Sequence, residues 1–143
     1  MSTQEQLTQV FNDNFVSYFR SHVAHVNIMG RNFASDHKLL QKVYEDLQDQ
    51  IDIIAELLRT LGEYMPCDIT DVINDSHIPA SKIEGTSIEL ITEVRDDLDH
   101  LKGCYIDLMS ISEDEGHQEI ANYAQDRILA IAKHIWMLSA TLD

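Results

Sequence analysis

Both prolines of this chain, Pro66 and Pro79, fall between Glu63 and Gly85, and the sequence on either side holds few other helix breakers. Proline lacks a backbone donor and its ring clashes with the preceding turn, so confining it to one stretch leaves room for long helices elsewhere. Apolar residues recur there at three- and four-residue spacing, the signature of helices with one buried face. In the first segment, about Thr3 to Met29, Leu7, Phe11, Phe15, Tyr18, His22, His25 and Met29 share a face, and Gly30 ends the run. The second runs from near Asn32 to about Leu61, carries Leu40, Val43, Leu47, Ile51, Ile54, Leu58 and Leu61, and stops at Gly62. Beside that stripe runs a polar one, His37, Gln41, Glu45, Asp49, Asp52 and Glu56.

The third segment starts near Thr86, with Thr86 or Ser87 as its cap, and presents Ile88, Ile91, Val94, Leu98, Leu101, Tyr105 and Leu108. An acidic break, Ser112 to Gly116, is expected before the fourth, which runs from about Gln118 to Leu142 with Ile120, Ala124, Ile128, Ile131, Ile135 and Leu138 inward. The spacing therefore predicts an all-α chain: two tightly joined helices, a long crossover carrying a short helix over Asp68–Ile73, then two more. A four-helix bundle with one long middle crossover is the ferritin-like arrangement. The length, 143 residues, suits a single domain over residues 1–143 around one core.

The formal net charge of −15 argues against tight contact with a phosphate backbone, and fits either plain solubility or attraction of cations. Cys67 and Cys104 form no C-x-x-C pattern, so neither a disulfide framework nor a zinc site is expected. Met1 to Glu5 shows no basic segment leading into an apolar one, and no apolar run approaches the ~20 residues of a membrane span. The expected compartment is the cytoplasm, without membrane attachment.

Two pairs of side chains have metal-binding chemistry. His25 and His37 flank the turn around Gly30 to Phe33, and positions equidistant from the turn of an antiparallel helical hairpin face each other. Asp52 and Glu56, at i and i+4, share a helical face. Imidazole with hard oxygen ligands suits iron, manganese or zinc. His37 and Asp52 are fifteen residues apart on one helix, about 22 Å at ~1.5 Å per residue, whereas metal–ligand bonds are only ~2 Å. One chain cannot bring both pairs to one ion. If they cooperate, a two-fold axis must set each chain's histidines against its partner's acids. Taken singly, a histidine at a helical interface is ordinarily structural, and paired acids on a polar stripe are ordinarily a solvated face.

The segment His22-Val23-Ala24-His25-Val26-Asn27-Ile28-Met29-Gly30-Arg31-Asn32-Phe33, followed by Asp36-His37, resembles the Dps family of mini-ferritins, which typically reads H-W-N-x-x-G-x-N-F and then L-H. Ile51-Asp52-Ile53-Ile54-Ala55-Glu56 is similar to that family's I-D-x-x-A-E, and Trp136-Met137-Leu138 to its W-M-L ending. The resemblance covers almost the whole chain. It implies a homo-oligomeric shell, a dodecamer, with ferroxidase centres at two-fold interfaces. His25 and His37 would come from one subunit, and Asp52 and Glu56 from the next. The implied reaction is oxidation of Fe(II), preferably by hydrogen peroxide, with ferric mineral stored in the cavity; no organic cofactor is implied.

The sequence also departs from the family pattern. Val26 replaces the usual Trp beside the first ligand, which bears on packing and radical quenching there. Gln41 stands where many members carry an acid, so one strong iron site per centre is expected and a weak or water-mediated second. The acids that would line three-fold pores are reduced to Glu119, with Asn122 three residues on and Asp126 as a partial substitute. His22 is expected in a packing or supporting position beside the ligands, while His77, His100, His117 and His134 carry no expected role. Members that bind DNA commonly do so through a Lys- and Arg-rich tail. No Lys or Arg occurs in the first twelve residues here, and Leu142-Asp143 carries no basic extension, so weak or absent DNA binding is expected. The alternatives are a DNA-protecting shell, or a structural helical oligomer with weakened oxidase activity.

Overall fold

In the computed structural model, which describes residues 1–143, the chain forms five helices and no strand: α1 Thr3–Asn27, α2 Phe33–Thr60, α3 Ile69–Asp75, α4 Ser87–Asp114 and α5 Gln118–Leu142. Helices α1, α2, α4 and α5 make the bundle; α3 lies in the crossover and packs on α1. The starts of α1 and α4 have a chemical cause. Ser2 accepts from the Glu5 amide to open α1, and Thr86 with Glu89 makes a reciprocal capping box that opens α4. At two ends the chain turns out through glycine. Gly62 and Gly116 have φ of +83° and +82°, and the flanking amides close back on carbonyls of the last turn, Glu63 N on Leu58 O and His117 N on Ser112 O.

The stripes read from the sequence are largely buried. Leu7, Leu40, Leu47, Leu58, Leu98, Leu101, Ile131 and Leu138 are fully inside one core. Each fully buried aliphatic side chain contributes about 1.5–3 kcal/mol relative to exposure. Four details differ from expectation. Met29 lies beyond the end of α1 and is exposed, because the chain leaves the helix at Ile28, which buries instead. Ile88 sits on the first turn of α4, where the bundle has not yet closed over it, and is exposed. Ser112 to Asp114 do not break α4 but form its last turn, with the Ser112 hydroxyl buried and donating to Leu108 O; the break comes at Gly116. The short crossover helix begins and ends slightly later than expected, with Asp68 as its cap accepting from Thr70 N.

The crossover is tied to α1 by polar contacts. Buried Asp13 accepts from Ser76 Oγ at 2.9 Å and from His77 N at 2.7 Å, and Gln9 donates to Asp75 O. Arg20 is almost wholly buried, pairs with Asp97 and Glu93 of α4, and donates to Ser81 O in the crossover. Around the bundle, α1 meets α2 and α4 broadly and α4 meets α5 broadly, while α2 and α5 share a thin seam. Polar pairs carry that seam. Arg127 of α5 grips Asp46 of α2 with two hydrogen bonds, His134 Nε2 lies 2.8 Å from the same carboxylate, and Tyr123 donates to Gln50.

Candidate metal centre

The turn between α1 and α2 is short and closed by main-chain bonds, Ile28 N to Ala24 O, Phe33 N to Gly30 O and Asp36 N to Asn32 O. It brings His25, in the last turn of α1, onto His37, near the start of α2. The two rings stack with centroids 3.8 Å apart and planes 16° from parallel. Each Nδ1 lies 2.7 Å from the other residue's main-chain carbonyl oxygen. A carbonyl only accepts, so each Nδ1 carries the proton, and in a neutral imidazole the remaining Nε2 is then the atom with a free lone pair. No hydrogen bond within the chain uses either Nε2. The reciprocal bonds thus fix both tautomers and both ring orientations as a metal ion would need them.

Aromatic rings surround the pair. Phe33 stacks on His37, and Tyr44 lies 4.9 Å from the His25 ring. His22 stacks on Tyr44 at 4.0 Å, and the Tyr18 hydroxyl lies 3.0 Å from His22 Nδ1. His22 therefore packs between the tyrosines and the His25 ring. Tyr18 and Tyr44 were not legible as part of the site, although Tyr18 stands seven residues before His25 and Tyr44 seven after His37. That spacing, two helical turns, is the signal that would have found them. Beside His37, Asp36 is buried, and burial pushes its carboxyl up from the ordinary value.

Asp52 and Glu56 sit one turn apart on the exposed side of α2, at the edge of a hollow shared with Arg59, Tyr64, Met65 and Cys67. Fifteen residues of unbroken α2 hold Asp52 about 22 Å from His37. Within the chain no three His, Cys, Asp or Glu side chains converge on one point. The structure therefore joins the histidines to each other and leaves the two acids apart from them. Gln41 donates its amide to Glu45 at 2.8 Å, and Val26 is exposed beside His25. On α5, Glu119 is exposed with His117 nearby, and Asp126 faces outward beside Asn122 and Lys102.

Residues 4–143 match the model of the ferritin-like domain family. The chain belongs to the Dps mini-ferritins of that family. It is 29% identical over 143 residues to the DNA protection during starvation protein of Helicobacter pylori, with 99% of each chain covered. Among solved structures it superposes on Helicobacter cinaedi CAIP with a TM-score of 0.91 and 30% identity, covering 99% of this chain and 100% of that one. On Dps from Thermosynechococcus elongatus the TM-score is 0.94 at 19% identity, covering 99% and 90%. The last likeness concerns fold alone: the Dps bundle with its middle crossover is the one described above. No helix of this Dps chain is long and apolar enough to cross a membrane.

Proposed function

We propose that this Dps chain oxidises Fe(II) and stores the ferric product, at centres that a second copy of the chain completes. The observation that carries this reading is the reciprocal pairing of His25 and His37, which leaves the Nε2 atoms of two stacked rings with no partner in their own chain. Two imidazoles leave an ion short of ligands. The exposed Asp52–Glu56 pair supplies hard anionic oxygens, and a two-fold axis relating the α2 helices exchanges the pairs between subunits. Four donors complete one ion, and the neutral Gln41, turned to Glu45, adds no anionic ligand for a second. Hydrogen peroxide is the oxidant in this reading and a dodecamer the assembly, with residues 1–143 as one domain of each subunit. Glu119 and Asp126 on the outward face of α5 would line the entry route, helped by the net charge of −15 that draws cations.

The test is iron oxidation followed by ferric absorbance after Fe(II) and peroxide are mixed anaerobically. His37→Ala and Asp52→Ala should each slow it by at least about tenfold while leaving the assembly intact. Assemblies formed from both variants together should recover activity. A centre that takes its histidines from an Asp52→Ala subunit and its acids from a His37→Ala subunit is whole, and random mixing makes about a quarter of centres so. Variants that oxidise iron at the normal rate, or mixtures that recover nothing, would refute the shared site.

The name of the Helicobacter pylori relative motivates a second reading, a shell that protects DNA. The acidic balance opposes it here. A duplex shift assay at neutral pH and physiological salt should show no retarded band; a tight complex would favour the second reading.

A further inference from the structure

The acid end of the proposed centre carries its own competing cation. Arg59 stands three residues after Glu56 and seven after Asp52, so all three share one face of α2. A glutamate followed three or four residues later by a basic side chain is well placed to close an ion pair. Arg59 closes none with either acid, although all three border the same hollow. Its guanidinium is engaged elsewhere. It lies over the Tyr64 ring, 4.4 Å from the centroid, and its Nη1 donates to the Glu63 main-chain oxygen at 3.1 Å. The end of α2 makes this possible. At Gly62, with φ of +83°, the chain turns out of the helix, and Glu63 N returns to Leu58 O, which leaves Glu63 and Tyr64 beside Arg59 rather than beyond it.

A guanidinium on a carboxylate engages the same oxygens that a metal ion needs, often both at once. An Arg59–Glu56 pair would therefore compete with iron for the acid end of the centre. We propose that Tyr64 is a positioning residue that parks Arg59 away from Glu56 and so leaves the acid pair open to Fe(II). The inference rests on the reading of Asp52 and Glu56 as iron ligands given above. Attraction between an exposed guanidinium and an aromatic face shifts such an equilibrium about two- to fivefold, enough to be read in a binding constant. Neither partner belongs to the core: Tyr64 is 79% exposed and Arg59 is exposed, so replacing them spares the bundle.

The experiment titrates the assembled protein with Fe(II) in a calorimeter, anaerobically and without oxidant, and follows ferric absorbance after peroxide in parallel. Tyr64→Ala should weaken Fe(II) binding about two- to fivefold and raise KM for Fe(II) by the same factor, with kcat unchanged. Tyr64→Phe keeps the ring face and should match the parent. Tyr64→Ala combined with Arg59→Gln removes the freed cation and should return to the parent affinity. Parent-like affinity in Tyr64→Ala, or weakness that persists in the double variant, overturns the inference and leaves the oxidase reading standing. A parent assembly that takes up no Fe(II), or whose affinity Asp52→Ala leaves unchanged, overturns the shared-site reading, and the inference with it.

Discussion

Two histidine clusters in this molecule use the same side chain in opposite ways. At the α1–α2 turn, His25 and His37 spend Nδ1 on main-chain carbonyls and keep Nε2 free. At the α2–α5 seam, His134 spends Nε2 on Asp46, which is also gripped twice by Arg127. A ring whose Nε2 already faces a carboxylate has nothing to offer a metal at that atom. A ring held by a carbonyl at Nδ1 is oriented, and its other nitrogen is available. The difference separates binding from scaffolding: what decides a histidine's role is which nitrogen the fold consumes.

Changes at the seam should cost stability and spare chemistry. The largest effect is expected for Asp46→Ala, which leaves the buried Arg127 guanidinium without its counter-charge. A loss of about 3 kcal/mol should appear in denaturant unfolding, with the oxidation rate per folded subunit unchanged. Acid probes the same group. Burial works against the Asp46 charge, but hydrogen bonds from His134 and Arg127, with the Arg127 charge, outweigh it and hold the carboxyl well below the ordinary range. In the folded chain Asp46 stays ionised to lower pH than in the unfolded one. Its contribution is therefore whole above the unfolded pKa of about 4 and fades as pH falls below it. An acid titration of Asp46→Asn should show a shallower decline over that window; an identical slope would mean the seam does not depend on this charge.

Next in size is His134→Ala, expected to cost about 1.5 kcal/mol through loss of one bond to a charged acceptor, again without slowing iron oxidation. The smallest stability change should come from His37→Ala. It removes a neutral side-chain bond to the main chain, about 1 kcal/mol, yet it is the substitution expected to abolish most of the oxidation. Should His134→Ala slow oxidation as much as His37→Ala does, the division between the clusters fails.

Much of the bundle was legible because helical burial is periodic. Leu40, Val43 and Leu47 repeat a face, and Thr86 was one of the two caps expected for the third long helix. The neighbouring positions of His25 and His37 were legible because a short turn fixes what faces what. What sequence could not reveal are polar pairings between distant segments. Asp46 and His134 lie 88 residues apart and carry no local pattern, so His134 carried no expected role. Arg20 is the first basic residue of a mostly acidic chain, and nothing in its sequence neighbourhood foretold that it would bury itself between α4 and the crossover. Met29 and Ile88 show the complementary failure. Each fits its stripe, but each lies where the helix or the bundle has run out.

The crossed hydrogen bonds at the α1–α2 turn also bear on how such a chain can drift. Each imidazole clasps the main chain that carries the other, so replacing either one loosens the anchorage of both. A lineage that loses one of these rings has little reason to retain its mate, and intermediates holding a single histidine should be short-lived. Descendants of this chain are then expected to keep the couple or to shed it together.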